Sequence, residues 1–223
     1  LMQKKNLSLV HEVMAPEQAS EKPPLLIMLH GFGSHEQDLF SMAPMLNTKF
    51  MIVSARAPLT LPWGGFAWYE INFEELGGGK MSNIPQARDS VGRIETFVKE
   101  AQEAYGADPD NTWLMGFSQG CILSYAVALR SPQNFKGVLA LSGYILKDIT
   151  PDHFNPSDLQ NLDFFVSHGI QDEVLPVEWA RESVKVLEQL HIRHQYNEYP
   201  MGHGVNPQCF DDLKDWLSDK GML

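Results

Sequence analysis

Residues 112–123 read Thr112-Trp113-Leu114-Met115-Gly116-Phe117-Ser118-Gln119-Gly120-Cys121-Ile122-Leu123. A mainly apolar strand-like segment precedes a G-x-S-x-G motif, and an apolar helical segment follows it. A serine between a strand and a helix is typical of a nucleophile elbow, in which a strained turn exposes the hydroxyl. Glycines two positions before and after Ser118 fit this turn, because side chains there would clash where strand and helix crowd together. The motif therefore predicts a nucleophilic serine.

Apolar strand-like runs alternate with amphipathic helical segments on both sides of this turn. The predicted strands are Leu25–His30, Phe50–Ser54, Thr112–Gly116, Gly137–Leu141, Phe164–Ser167 and Gln195–Tyr199, with Leu7–Val13 at the sheet edge. The predicted helices are Gln37–Leu46, Pro85–Tyr105, Gln119–Leu129, Val177–Gln189 and Pro207–Leu217. Such alternation indicates parallel strands joined by helical crossovers. We therefore expect an α/β fold with a mostly parallel central sheet and helices on both faces.

The 223 residues fit one large domain more simply than two small ones, since most domains hold about 100–200 residues. We expect a single domain over residues 1–223, with an edge strand and linker in 1–24 and no large separate lid domain. Two connections, 57–84 and 144–162, are longer than a compact α/β unit needs and are expected near the active site. The first either walls a substrate pocket or covers a satellite core, because it is rich in aromatic residues: Trp63, Phe66, Trp68, Tyr69 and Phe73.

Composition excludes several classes of protein. The net charge is −11 with a pI near 5.1, and no stripe of Lys and Arg exists that would bind a phosphate backbone or an anionic membrane. The longest apolar run, 25–29, is too short to span a bilayer, and no signal-peptide core is present. Cys121 and Cys209 form no disulfide scaffold or zinc motif and suit a reducing compartment. We expect a soluble cytoplasmic protein without nucleic-acid or stable membrane binding.

A serine hydroxyl needs a general base, and the base needs an orienting acid. In an elbow fold the chain order is serine, acid, histidine, and each partner follows the C-terminal end of a strand. His203 meets both conditions because it follows the strand that ends at Tyr199. His191 and His194 lie at the opposite edge of the sheet. His203 is therefore the predicted base.

The acid is selected by the same rule. Asp172 follows the predicted strand Phe164–Ser167, whereas Asp163 precedes it at the wrong end. Asp172 is the predicted acid, with the adjacent Glu173 as the alternative. Its role would be to accept the Nδ1–H of the histidine and to stabilise the imidazolium.

Acyl transfer also requires two donors for the developing oxyanion. The backbone N–H of Gln119 is one candidate, because the residue after the nucleophile points its N–H inward from a helix N-terminus. The backbone N–H of Phe32 is the second, since it lies in a glycine-rich loop after a strand. His30 ends that strand and is expected to brace the loop rather than to catalyse.

These residues also carry a family resemblance, from about Leu25 to Leu217. The chain resembles the phospholipase/carboxylesterase group of α/β-hydrolases, which includes bacterial carboxylesterases and acyl-protein thioesterases. The matching segments are Leu29-His30-Gly31-Phe32-Gly33, Trp68-Tyr69, Gly116-Phe117-Ser118-Gln119-Gly120, His168-Gly169-Ile170-Gln171-Asp172-Glu173-Val174-Leu175-Pro176 and Tyr199-Pro200-Met201-Gly202-His203. By this resemblance Ser118, Asp172 and His203 take the triad positions, and Phe32 and Gln119 the oxyanion positions. Relatives also suggest a homodimer.

The expected function is a serine carboxylesterase that acts on soluble short- to medium-chain esters through an acyl-enzyme, with no metal or organic cofactor. Trp63, Phe66 and Trp68 are expected to shape the substrate site. The alternatives are an acyl-thioesterase or a lysophospholipase on the same triad, and, from another class, a ligand-binding receptor on a hydrolase scaffold. Three departures from the family pattern, at Ser34, Glu70 and Cys121, remove no catalytic group but separate this chain from any one relative's substrate.

Overall fold

The central element is a seven-stranded sheet in a computed structural model that describes residues 2–46, 49–72 and 81–223. Its strands are β1 (His11–Met14), β2 (Pro24–Leu29), β3 (Met51–Ala55), β8 (Asp108–Phe117), β9 (Gly137–Leu141), β10 (Asp163–Gly169) and β11 (Arg193–Tyr199); β4 to β7 belong to two hairpins described below. The spatial order is β1-β3-β2-β8-β9-β10-β11. β1 pairs antiparallel with β3, and the other neighbours pair parallel. The predicted mostly parallel α/β-hydrolase sheet is confirmed.

Helices cover both faces of this sheet. They are α1 (Gln37–Phe40), α2 (Ala43–Leu46), α3 (Ile84–Tyr105), α4 (Gln119–Arg130), α5 (Pro156–Leu159), α6 (Val177–Gln189) and α7 (Pro207–Asp219). Successive side chains of a strand point to opposite faces. In β2, Ile27 therefore packs into the core that holds residues of α3, α4 and α6, whereas Met28 packs into the core that holds residues of α1, α2 and α7.

The prediction of one helix over 37–46 is wrong, because the structure has two short helices there, α1 and α2. Pro44 explains the break. A proline has no N–H to donate to the carbonyl four residues earlier, here Phe40, and its ring clashes with that carbonyl. The predicted edge strand at 7–13 is also shorter at its start, since β1 begins at His11.

The long helix α3 is defined by local signals at both ends. The Asn83 side chain accepts a hydrogen bond from the backbone N–H of Gln86 at 3.2 Å, and Pro85 lies in the first turn. Gly106 ends the helix in the left-handed conformation, with φ of 63°, which glycine adopts at low cost. With these caps, the ends of α3 agree with the predicted helix Pro85–Tyr105 to within one residue.

The two long connections contain small structured elements. Residues 57–84 include one hairpin of β4 (Leu59–Thr60) with β5 (Phe66–Ala67) and another of β6 (Ile71–Asn72) with β7 (Met81–Ser82). Residues 73–80, with Phe73, lie outside the described residues. The second connection holds a 3-10 turn at Lys147–Ile149 and α5. In the described ranges, no helix is long and apolar enough to cross a bilayer.

Candidate active site

Ser118 occupies a strained turn between β8 and α4. Its φ is 52° and its ψ is −116°. Residues other than glycine rarely adopt this backbone conformation, and those that do are often found at functional sites. A Cβ on Gly116 would overlap the carbonyl of Gly120, and a Cβ on Gly120 would overlap the carbonyl of Leu29. The strand, the helix and the neighbouring strand thus approach so closely that the turn accommodates only glycine at both flanks.

Three predicted residues lie in one hydrogen-bonded chain. His203 Nε2 lies 2.9 Å from Ser118 Oγ, and His203 Nδ1 lies 2.7 Å from Asp172 Oδ2. The other carboxylate oxygen of Asp172 accepts the backbone N–H groups of Val174 at 2.9 Å and Leu175 at 2.8 Å. The alternative acid, Glu173, is exposed. The structure therefore brings Ser118, His203 and Asp172 together and leaves Glu173 outside the chain.

Asp172 has a further neighbour that the sequence reasoning missed. His168 is fully buried, and its Nε2 donates to the carbonyl of Leu175 at 2.8 Å while lying 3.3 Å from Asp172 Oδ2. This contact helps to fix the acid loop against the end of β10. The His168-Gly169 pair, four and three residues before Asp172, was the available signal, because it marks the point where the strand turns toward the acid.

The loop that carries His203 is anchored to the loop of Asp172 and to β8. The backbone N–H of Gln171 donates to the carbonyl of Met201 at 3.0 Å. The imidazole ring of His203 lies 4.9 Å, centroid to centroid, from the ring of Phe117. The hydrogen bond holds the loop in place and the ring contact limits rotation of the imidazole, so its two nitrogens stay directed at Ser118 and Asp172.

The two candidate oxyanion donors lie at the cavity beside the serine. Phe32 and Gln119 both line it, and a Cβ on Gly31 would come within 3.3 Å of Ser118 Cβ. The backbone around Gly31 therefore passes close to Ser118. Gln119 is the first residue of α4, so its N–H belongs to the set that has no acceptor inside the helix.

His30 braces the loop after β2, in the way the sequence suggested. Its Nδ1 lies 2.7 Å from the carbonyl of Gly31, and its Nε2 accepts the backbone N–H of Ala57 at 3.0 Å. These partners assign the proton to Nδ1 in a neutral ring. Burial lowers the pKa of His30, which keeps the ring uncharged at neutral pH.

A cavity of about 430 Å³ opens beside Ser118, near the lower end of the range for small-molecule sites. Among the described residues that line it there is no Lys or Arg. Burial raises the pKa of Tyr69, so its phenol stays protonated.

The sequence reasoning did not assign most of the residues that line this cavity. They are Tyr69, Ile71, Ser82, Phe117, Ile122, Tyr144, Val174 and Leu175, with Ser34, His35 and Asp38 also contributing. Ile122 had a readable signal, since it lies one helical turn after Ser118.

Phe66 and Trp68, predicted to shape the substrate site, lie behind the cavity instead of lining it. Trp68 is fully buried; its Nε1 donates to the carbonyl of His30 at 2.9 Å, and its backbone N–H donates to Gln119 Oε1 at 2.8 Å. The Phe66 ring lies under the Arg56 guanidinium, 4.4 Å from its centre. Packing against the sheet and hydrogen bonding turn both residues into supports of the cavity wall.

Trp63 lies elsewhere again. It is 72% exposed and lines a neighbouring groove of about 560 Å³. This groove shares Phe32, Ile71 and Ser82 with the cavity beside Ser118. Of the three predicted aromatic residues, Trp63 alone lines a space that shares wall residues with the cavity beside Ser118.

Comparison with known protein families identifies a match over most of the chain. The family model described as Phospholipase/Carboxylesterase matches residues 10–220. The chain belongs to this family. Its members are α/β-hydrolases, and membership supports an esterase or thioesterase activity on ester-type substrates.

Individual relatives of this hydrolase are distant. Acyl-protein thioesterase 1 of Yarrowia lipolytica is 27% identical over 216 residues, which cover 87% of this chain and 90% of that protein. A probable carboxylesterase, SOBER1-like, of Arabidopsis thaliana is 25% identical over 205 residues, 87% and 78% of the two chains. The carboxylesterase structure from Mesorhizobium loti superposes with a TM-score of 0.80 at 20% identity, covering 96% of this chain and 97% of that one. The structural match shows the fold alone.

Proposed function

We propose that this hydrolase is a serine carboxylesterase that cleaves short- to medium-chain carboxylic esters through an acyl-enzyme. The observation that carries the proposal is the continuous chain from Ser118 Oγ through His203 to Asp172, with bonds of 2.9 and 2.7 Å. The 2.9 Å distance lies within the range for proton transfer from the nucleophile to its base, and the 2.7 Å hydrogen bond to Asp172 orients that base.

In this mechanism Ser118 Oγ attacks the ester carbonyl while His203 Nε2 takes the hydroxyl proton. Asp172 accepts the Nδ1–H and stabilises the imidazolium without becoming protonated. The backbone N–H groups of Phe32 and Gln119 donate to the oxyanion of the tetrahedral intermediate. His203 then protonates the leaving alcohol, and a water molecule, deprotonated by the same imidazole, releases the acid from Ser118.

Cavity size supports the preference for smaller acyl groups. The cavity volume of about 430 Å³ lies near the lower end for ligand sites. The absence of Lys and Arg from its described lining, together with the net charge of −11, disfavours the phosphate of a lysophospholipid.

We also propose a cytoplasmic location, which the two buried free cysteines, Cys121 and Cys209, support.

A thioesterase is the second candidate, because relatives such as the Yarrowia lipolytica protein carry that name and thioesters pass through the same tetrahedral intermediate. The proposed test is a panel of p-nitrophenyl esters of increasing chain length beside an acyl-CoA and a lysophospholipid. A higher kcat/KM on butyrate or hexanoate esters than on the other substrates is the expected result. Preference for the thioester would replace the carboxylesterase proposal with the second candidate.

Labelling by a fluorophosphonate separates a hydrolase from a ligand-binding receptor on the same scaffold. We expect the wild-type protein to be labelled and Ser118→Ala to be unlabelled and inactive, since the attacking oxygen is removed. Ser124→Ala is a matched control, because Ser124 is a buried serine on α4 whose Oγ donates to the carbonyl of Gly120. Labelling that persists in Ser118→Ala would contradict the proposal.

A further inference from the structure

Ser142 has an unusual backbone for a buried serine. It directly follows β9, has no exposed surface, and adopts φ of 50°. Among non-glycine residues in the described ranges, positive φ occurs at Ser118, Ser142 and His191, so two of the three lie at the candidate site. A left-handed non-glycine residue costs about 1 to 3 kcal/mol and persists where the surrounding structure imposes it.

The hydrogen bonds of residues 141 and 142 reach all three segments of the candidate triad. The carbonyl of Leu141 accepts the backbone N–H of Ser118 at 3.0 Å. The backbone N–H of Ser142 donates to the carbonyl of Ser167 at 2.9 Å, on the strand that leads to the acid. The Ser142 hydroxyl donates to the carbonyl of Gly204 at 3.2 Å, one residue after His203.

The left-handed turn makes this arrangement possible. β9 pairs with β10 in regular parallel register up to Leu141 opposite Ser167. Beyond that point the chain passes close to the turn at Ser118, because a Cβ on Gly143 would come within 2.5 Å of the Cys121 side chain and 3.1 Å of the Ser118 carbonyl oxygen. The turn at Ser142 directs the chain past the nucleophile and lets its hydroxyl bond the loop of His203.

We propose that Ser142 is a positioning residue, which sets the distance between His203 and Ser118 by tying the base loop to the nucleophile turn and to the acid strand. This inference rests on the proposed function. The loop of His203 is held to the acid side through Met201 and Gln171, and the Ser142 hydroxyl holds its other side. Loss of the hydroxyl frees the loop at Gly204, while the cavity that binds substrate keeps its walls.

The test is steady-state kinetics of Ser142→Ala on a p-nitrophenyl ester, with kcat expressed per active site titrated by a fluorophosphonate. We expect kcat to fall about tenfold with KM within about twofold, because a displacement well below 1 Å costs less than the roughly 100-fold that 1 Å costs. Ser142→Gly removes the same hydroxyl and also relieves the left-handed strain, so it folds even where the alanine variant does not. We expect the same fall in kcat from it.

Ser183→Ala is the matched control. Ser183 is a buried serine whose hydroxyl donates to the carbonyl of Trp179 at 2.7 Å and accepts the backbone N–H of Ile145 at 2.8 Å, so both of its partners are residues other than Ser118, Asp172 and His203. We expect kcat per titrated site to stay within about twofold in this variant, even where its melting temperature falls, since its hydroxyl touches no triad segment. An unchanged kcat in both Ser142 variants, or an equal fall in Ser183→Ala, overturns the positioning role and leaves the proposed function standing. A wild-type protein that no fluorophosphonate labels overturns both.

Discussion

The nucleophile turn at 116–120 and the aromatic connection at 57–72 are neighbours that are held in different ways. Backbone contacts fix the turn, because Gly116 and Gly120 leave no room for a Cβ. Side-chain hydrogen bonds fix the connection: the Gln119 amide accepts from Trp68 N–H and donates to the Tyr69 carbonyl, both at 2.8 Å. A single added methyl group is therefore expected to disrupt the packing of the turn. In the connection, each substitution removes only the hydrogen bonds of the side chain that is changed, so the loss of stability should be smaller.

The largest effect is expected from Gly120→Ala. The added methyl would overlap the carbonyl oxygens of Leu29 and His30, and neither backbone segment can move without disturbing β2. We expect the free energy of unfolding to fall by about 4 kcal/mol or more, the range of severe core substitutions. Urea unfolding monitored by tryptophan fluorescence measures it.

Gly92→Ala is the control for this substitution. Gly92 lies within α3, and a Cβ there would meet no atom within 4 Å. We expect stabilisation of about 0.5–1 kcal/mol, since alanine loses less backbone entropy than glycine in a helix. Similar changes in the free energy of unfolding of Gly120→Ala and Gly92→Ala would show that close backbone contact is not what restricts the turn to glycine.

Gln119→Met tests the hydrogen-bonded region. Methionine has nearly the same length and keeps the backbone N–H, but it leaves the Trp68 N–H and the Tyr69 carbonyl without their partner. Each buried polar group left unsatisfied costs about 1–3 kcal/mol, so we expect a loss of about 3 kcal/mol and a lower kcat. Chemical unfolding and ester kinetics measure the two effects.

Gln86→Met provides the comparison, because the Gln86 amide also binds this connection, accepting the Glu70 N–H at 2.7 Å, but at an exposed position. We expect a loss below about 1 kcal/mol, as water replaces the missing partner. Equal losses in the two glutamine variants would contradict the buried role of Gln119.

The sequence predicts the turn well because its requirements are local. Glycine at two fixed positions, an apolar strand before and an apolar helix after are all visible within about a dozen residues. The order of strands then selects His203 and Asp172, since both must follow strand ends. The break near Pro44 is also a local signal, because a proline inside a helical segment interrupts the backbone hydrogen bonds of the helix.

The aromatic connection is less predictable because its contacts are long-range. Trp63, Phe66 and Trp68 have similar side chains and lie within six positions, so composition gives them one role. Their surroundings differ: Trp68 meets His30 and Gln119, Phe66 meets Arg56, and Trp63 meets mainly solvent. These partners come from distant segments, and no pattern within the connection encodes them.

Glu36→Gln is expected to have a moderate, pH-dependent effect on the same wall. Glu36 receives two hydrogen bonds from Arg56, at 2.6 and 2.7 Å, and the same guanidinium lies over the ring of Phe66. Hydrogen bonding by Arg56 lowers the pKa of Glu36 from 4.5. A depressed carboxyl pKa stabilises the folded state above the unfolded-state value, and this stability is lost as the pH falls through the folded-state value. We expect the free energy of unfolding of the wild type to be about 2 kcal/mol larger than that of the variant at neutral pH. This difference should shrink as the pH falls below about 4.5.

Urea unfolding across this pH range measures the gap, and Glu182→Gln is the control. Glu182 pairs with Lys185 at 2.6 Å, but both side chains are well exposed. Solvent screens such a pair, so we expect its substitution to leave the pH dependence unchanged. A gap in Glu36→Gln that stayed constant down to strongly acidic pH would show that packing, not the ion pair, is what the glutamate contributes.

The smallest effect is expected from Trp63→Ala, despite the size of the side chain removed. Because 72% of Trp63 is exposed, the free energy of unfolding should change by less than about 0.5 kcal/mol, and kcat/KM on a butyrate ester should stay the same. Trp68→Phe, its partner in the prediction, loses the indole donor to His30 and should cost about 2 kcal/mol. The two tryptophans are five residues apart, so different losses of stability in these variants would reflect where each side chain lies and not its residue type. Since Trp63 lines the neighbouring groove and not the cavity itself, we expect only esters longer than the cavity to reach it. A loss of stability in Trp63→Ala as large as in Trp68→Phe would mean that the whole connection acts as one packed unit, and the contrast between the two regions would then rest on backbone contact alone.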